Sequence, residues 1–216
     1  MKKIQADTSS ILQRIAEGEH LHQDFKFEIS DARKIAKSLS AFSNTEGGRL
    51  LVGVKDNGKI AGIRSEEEIY MIEAAATMYC KPSIEVETFT HNLRGKTILE
   101  VVIKETTDKP IYALNEENKP KAYLRIKDEN ILATSVHLKM WQRFNQKRGS
   151  FVTFTEKEQT LLNTLKEKNA LTLNQCCKLC RLNRNTVCTL LADFIRFDLV
   201  IPLFLSHKFH FKLKED

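Results

Sequence analysis

The feature that most constrains the fold is the order of patterns near the start of the chain, where strand and helix signals follow one another closely. Residues 24–29 alternate polar and apolar side chains, which predicts a strand with one buried face. That face would carry Phe25, Phe27 and Ile29. Ser30 is predicted to cap the helix that follows, and the apolar residues 50–54 predict a second, buried strand. This order indicates a mixed α and β domain.

Further patterns extend this domain into an α+β fold, a mixed sheet with flanking helices. Residues 56–58 (DNG) are a hairpin turn signal, and Ser65 with Glu68 has the spacing of a capping box before a second helix. Further strands are predicted near residues 83–90, 96–103 and 123–126, and a last helix near residues 135–146. We place this domain at residues 1–148.

The C-terminal part, residues 151–216, has the element order of a winged helix-turn-helix. Thr155 and Thr172 each begin a capping-box pattern, and Asn183 is a predicted N-cap for a third helix. Residues 200–205 and 208–213 then form a predicted β-hairpin. Three short helices followed by a hairpin predict a small winged helix-turn-helix domain.

The cysteines of the chain favour packing over metal binding. Their odd number argues against a disulfide framework. Cys177 and Cys180 have CxxC spacing, but no second CxxC or HxxxH pair accompanies them, as a zinc site would need. Together with Leu173 and Cys176 they have the spacing of the core stripe of a helix, where free cysteine behaves as a small apolar residue.

The third helix of the C-terminal domain carries the side chains predicted to bind DNA. In a helix-turn-helix, the first residues of the second helix of the pair reach base edges in the major groove. The outward face would show Arg184, Asn185, Cys188 and Thr189, with Lys178, Arg181, His207, Lys208 and His210 around it. Arginine and asparagine suit bidentate contacts to guanine and adenine, and the lysines suit phosphates. The alternative is a winged helix used only for protein contact, which the apolar residues 201–205 keep open.

Charge and composition are compatible with a nucleic-acid partner. The chain carries 34 Lys and Arg against 28 Asp and Glu, a net charge of +6, and residues 151–216 carry ten against seven. No stretch approaches the roughly 18 apolar residues that cross a bilayer, and the N-terminus lacks the apolar core of a signal peptide. We therefore expect a cytoplasmic protein with no membrane partner. A homodimer is compatible with the two-fold sites that helix-turn-helix proteins commonly read.

Three stretches of the first domain resemble the Schlafen-type Alba-like domain, whose bacterial members were earlier described as divergent AAA or DNA-binding domains. They are Glu19 to Lys26, residues 41–48 (AFSNTEGG) and residues 51–58 (LVGVKDNG). Residues 109–112 and 122–126 resemble the C-terminal strands of that domain. The resemblance covers roughly residues 15–135, and the second and third stretches make it specific.

The resemblance implies two kinds of function. Bacterial members are often coupled to a C-terminal winged helix and described as transcriptional regulators. Vertebrate Schlafen members include RNA endonucleases that act on tRNA and rRNA through three carboxylates and a divalent metal. The matching positions here are Glu19, Asp24 and Asp56. This sequence departs from the family at Asp24, because the family usually has the longer glutamate there.

The three carboxylates also have a physical interpretation of their own. Asp24 and Lys26 lie on the polar face of the first predicted strand, Glu19 precedes it, and Asp56 follows the second strand. If they converge, they could hold Mg²⁺ or Mn²⁺ and activate water, with Lys26 assisting. The simpler alternative is a turn residue at Asp56, a surface ion pair between Asp24 and Lys26, and a solvated Glu19.

Three functional hypotheses result. We favour a DNA-binding transcriptional regulator, in which the Alba-like domain serves dimerisation, ligand sensing or further nucleic-acid contact. The alternatives are a divalent-metal-dependent endoribonuclease with RNA as its partner, and a protein-interaction module. Enzymatic activity is therefore left open. ATP is not predicted as a cofactor, because the chain contains no GxxxxGK(S/T) phosphate loop.

Overall fold

The computed structural model describes residues 8–145 and 154–215, which form two compact units. The first unit ends at Leu132 and the second begins at Ala133. The predicted boundary, between residues 148 and 151, lies outside the described residues. The division comes before it because the helix Ser135–Phe144 packs against the helix Arg184–Arg196 of the second unit.

The described part of the first unit combines helices with two sheets. Its helices are α1 (Thr8–Glu17), α2 (Ala32–Asn44) and α3 (Glu67–Ala74), which a π-helical turn at Ala75–Tyr79 extends. Its strands are β1 (Gln23–Lys26), β2 (Gly48–Val52), β3 (Cys80–Lys81), β4 (Val86–Leu93), β5 (Lys96–Ile103), β6 (Tyr112–Leu114), β7 (Pro120–Ile126) and β8 (Glu129–Leu132). The predicted strands at residues 96–103 and 123–126 are confirmed by β5 and β7.

The sheets have different topologies. One has the strand order β1-β2-β5-β4, in which β1 and β2 are parallel, with Gln23 opposite Arg49, and the other pairs are antiparallel. The other has the order β3-β6-β7-β8 and is antiparallel. The predicted α+β class, a mixed sheet with flanking helices, is confirmed.

Strand β2 lies at the centre of the first unit. Leu50 and Val52 pack into one core with Leu39 of α2, and Leu51 packs into another with Ile11 of α1. Because successive side chains of a strand point to opposite faces, the mixed sheet is covered by α2 on one side and by α1 on the other.

Three local predictions in the first unit are wrong. Strand β1 ends at Lys26, so Phe27 lies outside the alternation and is 40% exposed instead of buried. Asp31, not Ser30, caps α2, because its carboxylate accepts the Arg33 N–H at 2.8 Å.

The third is the capping box at Ser65 and Glu68. The Glu68 side chain is buried and accepts the N–H groups of Ile29 at 3.0 Å and Arg64 at 2.8 Å, so it ties two loops together instead of capping α3.

The second unit follows the predicted element order, with two additions: the helix Ser135–Phe144, which was predicted to belong to the first domain, and one short strand. It contains α4 (Ser135–Phe144), α5 (Glu156–Lys168), β9 (Ala170–Thr172), α6 (Leu173–Cys180), α7 (Arg184–Arg196), β10 (Val200–Leu205) and β11 (Lys208–Leu213). Strand β11 pairs antiparallel with β10 and with β9. The predicted hairpin is confirmed residue by residue, with both turn residues, Ser206 and His207, at positive φ. The interpretation of this order as a winged helix-turn-helix stays a prediction.

Local signals set the helix starts of the second unit. The capping boxes at Thr155 and Thr172 are confirmed, and the Asn183 side chain accepts the Thr186 N–H at 2.9 Å. Leu173, Cys176 and Cys180 are buried as predicted, whereas Cys177 is half-buried. Within the described ranges, no helix is long and apolar enough to cross a bilayer.

Candidate functional site

Two of the predicted carboxylates meet at the first strand. The Glu19 carboxylate accepts the Phe25 N–H at 2.9 Å and lies close to the Asp24 side chain. Burial, and then the interaction with the Asp24 side chain, raise the pKa of Glu19. Lys26 contacts Asp24 at 2.7 Å, so the structure brings Glu19, Asp24 and Lys26 together. Asp24 is nevertheless only 4% exposed, whereas the Lys26 side chain is 33% exposed, so their ion pair is half-buried.

Arg125 is the member of this cluster that sequence reasoning missed. Its side chain is 1% exposed, and its Nη2 atom lies 3.3 Å from Asp24 Oδ1. The same guanidinium donates to the carbonyl of Gln23 at 3.1 Å and to Asn130 Oδ1 at 3.0 Å, and it lies over the Phe42 ring. The sequence could have indicated this pairing, because Arg125 lies within the otherwise apolar residues 122–126. An arginine buried there needs an acidic partner.

The third carboxylate is placed differently. Asp56 lies in an exposed turn, in which the Gly58 N–H donates to the Lys55 carbonyl at 2.7 Å, so the predicted turn is confirmed. Among residues 8–145 and 154–215, no three or more His, Cys, Asp or Glu side chains are grouped so that they could hold a metal ion. Asp24 is already engaged by Arg125 and Lys26, so these donors as arranged do not fit a three-carboxylate metal site. That site stays a prediction.

Residues 41–48 connect α2 to the second sheet through side-chain hydrogen bonds. Asn44 Nδ2 donates to the carbonyls of Ile111 at 2.8 Å and Tyr123 at 3.0 Å, and Asn44 Oδ1 accepts the Ile111 N–H at 2.7 Å. The Thr45 hydroxyl accepts the Arg125 N–H at 2.8 Å. These bonds attach the end of α2 to the backbone around β6 and β7.

Gly47 and Gly48 allow neighbouring atoms to lie close to the backbone. A Cβ on Gly48 would lie 2.5 Å from the Phe42 ring, and one on Gly47 would lie 2.8 Å from the Ile103 carbonyl oxygen. No side chain fits at either position without movement of its neighbours, so both glycines are required by packing.

The second unit exposes a polar surface that we call the α6–α7 surface, made of Lys178, Arg181, Arg184 and Asn185. All four side chains are exposed, and Arg184 donates to Asn174 Oδ1 at 2.7 Å. His207 and Lys208 are also exposed, at the tip of the β10–β11 hairpin. Thr189 is half-buried, and its hydroxyl donates to the Asn185 carbonyl at 2.9 Å.

Cys188 does not belong to this surface, and its predicted outward position is wrong. Its side chain is buried, with Sγ 3.2 Å from the Ser135 hydroxyl, because α4 covers that side of α7.

Comparison with known families bears on the first unit. A family model described as Schlafen, AlbA_2 matches residues 19–134, which is more than half of the 216 residues. The chain belongs to the Schlafen AlbA_2 family. The match includes the Glu19–Asp24 cluster, Asp56 and the motif at residues 41–48 of this family member.

Two solved structures are similar to this Schlafen AlbA_2 chain. The crystal structure of the DIP2311 protein from Corynebacterium diphtheriae is 18% identical with a TM-score of 0.48; the similarity covers 74% of this chain and 36% of that protein, about a third of its length. The solution structure of the N-terminal domain of a protein described as related to the ATP-dependent DNA helicase RecG, from Nitrosomonas europaea, is 20% identical with a TM-score of 0.41, covering 72% of this chain and 99% of that domain.

Proposed function

We propose that this chain is a DNA-binding transcriptional regulator whose second unit is a winged helix-turn-helix. The observation that carries the proposal is the unpaired positive charge of the α6–α7 surface. Between Glu167 and Asp193 the sequence contains no acidic residue. Arg143, Lys212 and Lys214 pair with Asp193, Glu215 and Asp198, whereas in the described ranges Lys178, Arg181, Arg184 and Lys208 form no ion pair.

The order of elements supports the way such a surface would meet a duplex. Helices α6 and α7 are consecutive, with Arg181 in a left-handed conformation at the end of α6, and α7 begins with Arg184 and Asn185 exposed. A major groove accepts one helix, and arginine and asparagine at its first turn match guanine and adenine edges. We assign direct base contact to Arg184 and Asn185.

The hairpin supplies a second contact. Between Asp198 and Glu215 the sequence has no acidic residue, and His207 and Lys208 lie at the exposed tip of β10–β11. Contacts of this kind go to phosphates, which position the protein without reading sequence. Lys178, Arg181 and Lys208 are assigned to phosphates, and membership of the Schlafen AlbA_2 family supports a nucleic-acid role for the first unit as dimerisation element or additional contact.

The test measures the affinity of the full chain for a duplex selected from a random-sequence pool, by fluorescence anisotropy across a salt series. Arg184→Ala should weaken binding about tenfold or more and relax the sequence preference at one position. Lys166→Ala, which removes an exposed cation of α5, is the matched control and should change little. Each phosphate contact should add about −0.9 to the slope of log K against log salt. Equal affinity of the two variants would refute the assignment of α7 as the recognition helix.

The endoribonuclease alternative retains one observation in its favour, the close approach of Glu19 to Asp24 beside Lys26. Its test is the cleavage of labelled tRNA with Mg²⁺ or Mn²⁺, compared with Asp56→Ala. Metal-dependent cleavage by the unmodified chain alone would establish this activity. Its absence from a folded chain would leave the Glu19–Asp24 pair as a structural element.

A further inference from the structure

The ring of Phe27 is exposed at a place where the sequence predicts a buried side chain. It directly follows β1, in the first unit, and plays no part in the proposed contact of α7 with DNA. A single exposed aromatic residue is ordinary in itself. The surroundings of Phe27 distinguish it.

Two cations lie against this ring. Lys55 Nζ is 4.8 Å from the ring centroid, and the guanidinium carbon of Arg64 is 5.9 Å from it. The Arg64 side chain is 72% exposed and bonds Glu28 at 2.6 Å, whereas Lys55 has no acidic partner in the part of the chain that the structure describes. Residues 49–64 contain four cations and a single acid, Asp56.

The position in the sheet brings these groups together. Strands β1 and β2 are parallel, so their C-terminal ends lie at the same edge of the sheet. Phe27 comes directly after β1, and Lys55 lies in the turn that follows β2. The two groups are therefore neighbours at this edge of the sheet.

A cavity of about 250 Å³ lies beside this edge. Glu28 and Arg64, the pair next to Phe27, contribute to its walls together with Ser30 and Ser65. Its carboxylate and hydroxyl oxygens can accept hydrogen bonds, as carboxylates do from the amino group of cytosine.

We propose that Phe27 is a stacking platform for an unpaired, amino-bearing nucleobase of a single-stranded nucleic acid, with Lys55 on the adjoining phosphate and the base edge in the cavity. Exposed aromatic rings bind unpaired bases by stacking, and neighbouring cations follow the backbone. A duplex keeps its bases stacked inside and cannot present one to the ring. This site is separate from the α6–α7 surface and does not depend on it.

The experiment uses fluorescein-labelled single-stranded octamers of deoxycytidine, cytidine and thymidine at low salt, with the full chain carrying Arg184→Ala so that α7 does not contribute. Phe27→Ala and Phe27→Leu should each weaken cytosine binding about tenfold, because neither side chain stacks. Tyr70→Ala removes a ring that is 64% exposed on α3 and is the matched control, expected to bind normally. Comparison of the deoxycytidine and cytidine octamers shows which sugar the site prefers.

Phe27→Trp provides a direct readout. In a chain whose single tryptophan is replaced by Trp141→Phe, a tryptophan at position 27 should retain binding, and its fluorescence should be quenched as the cytosine octamer is added. The proposal is overturned if the octamers do not bind the folded chain, if the Phe27 and Tyr70 variants bind equally, or if the tryptophan signal does not change. Equal affinity for thymidine and cytosine octamers would overturn the role given to the cavity.

Discussion

The two units of this protein are stabilised in different ways. Of the described residues, twelve polar or charged side chains are buried, and eleven of them lie in the first unit; His137 is the one in the second. In the first unit, buried side chains such as Asn44, Arg125 and Glu100 connect elements far apart in sequence. In the second unit, an apolar core is combined with local caps. Loss of a single buried polar side chain should therefore lower the free energy of unfolding of the first unit more than a comparable loss lowers that of the second.

The chain offers separate optical probes for this comparison. Its four tyrosines, Tyr70, Tyr79, Tyr112 and Tyr123, all lie in the first unit, and Trp141, its single tryptophan, is buried in the second. Selective excitation of tryptophan follows the unfolding of the second unit, whereas the tyrosine signal follows the first.

The largest effect is expected for Asn44→Ala. The substitution removes the partners of the Tyr123 carbonyl and the Ile111 N–H, and one of the two donors to the Ile111 carbonyl, which keeps its bond from the Ser40 hydroxyl. Leaving buried backbone groups unpaired should lower the free energy of unfolding of the first unit by about 3 to 5 kcal/mol. Urea titration should show an early tyrosine transition and an unchanged tryptophan transition. Asn92→Ala, at an exposed position of β4, is the control; a similar loss in that variant would contradict the explanation.

A smaller effect is expected from pH in the second unit. Burial lowers the pKa of His137 from 6.5 to about 4. Below about pH 6.5 His137 becomes protonated in the unfolded chain but stays neutral in the native one. The free energy of unfolding of the second unit therefore falls as the pH drops from there toward 4. We expect a loss of about 2 kcal/mol between neutral pH and about pH 5, followed with Trp141.

The control for this prediction is His137→Gln. Glutamine keeps an acceptor at the third position of α4, where His137 forms a capping box with Thr134, and it does not titrate. The pH dependence should become flatter in this variant. An unchanged slope would assign the effect to other groups.

The smallest effect is expected for Asn183→Ala. The side chain caps α7 through a single bond to the Thr186 N–H, and its loss should cost about 1 kcal/mol. Asn183→Ser should restore most of the stability, because serine is also a good N-cap. A loss as large as that of Asn44→Ala would break the distinction between local and long-range stabilisation.

This distinction also explains how much the sequence predicts. The β10–β11 hairpin and the caps at Thr155, Thr172 and Asn183 depend on residues close in sequence, and all were predicted correctly. Helix α1 was missed, although Ile11 and Ile15 have helical spacing. The contact of Asp24 with Arg125 joins residues about a hundred positions apart, and no local pattern encodes such a pairing.

The candidate sites, too, could be predicted only where local patterns determine them. The exposure of Arg184 and Asn185 follows from the helical periodicity of α7, and the sequence predicts it, whereas the same periodicity predicts the wrong side for Cys188. The alternation of residues 24–29 predicts the wrong side for Phe27, because alternation says nothing about where a strand ends. The placement of Asp56 apart from the Glu19–Asp24 pair depends on tertiary structure alone.

The bonds of Asn44 and Thr45 affect how the motif at residues 41–48 is interpreted in related chains. These side chains commit their polar atoms to the backbone of the second sheet, and Gly47 and Gly48 are required by close packing. A substitution in this motif is therefore expected to disturb the scaffold. A related chain that carries the same motif is expected to share this scaffold, and its ligand contacts have to be sought on other side chains, because these are already committed to packing.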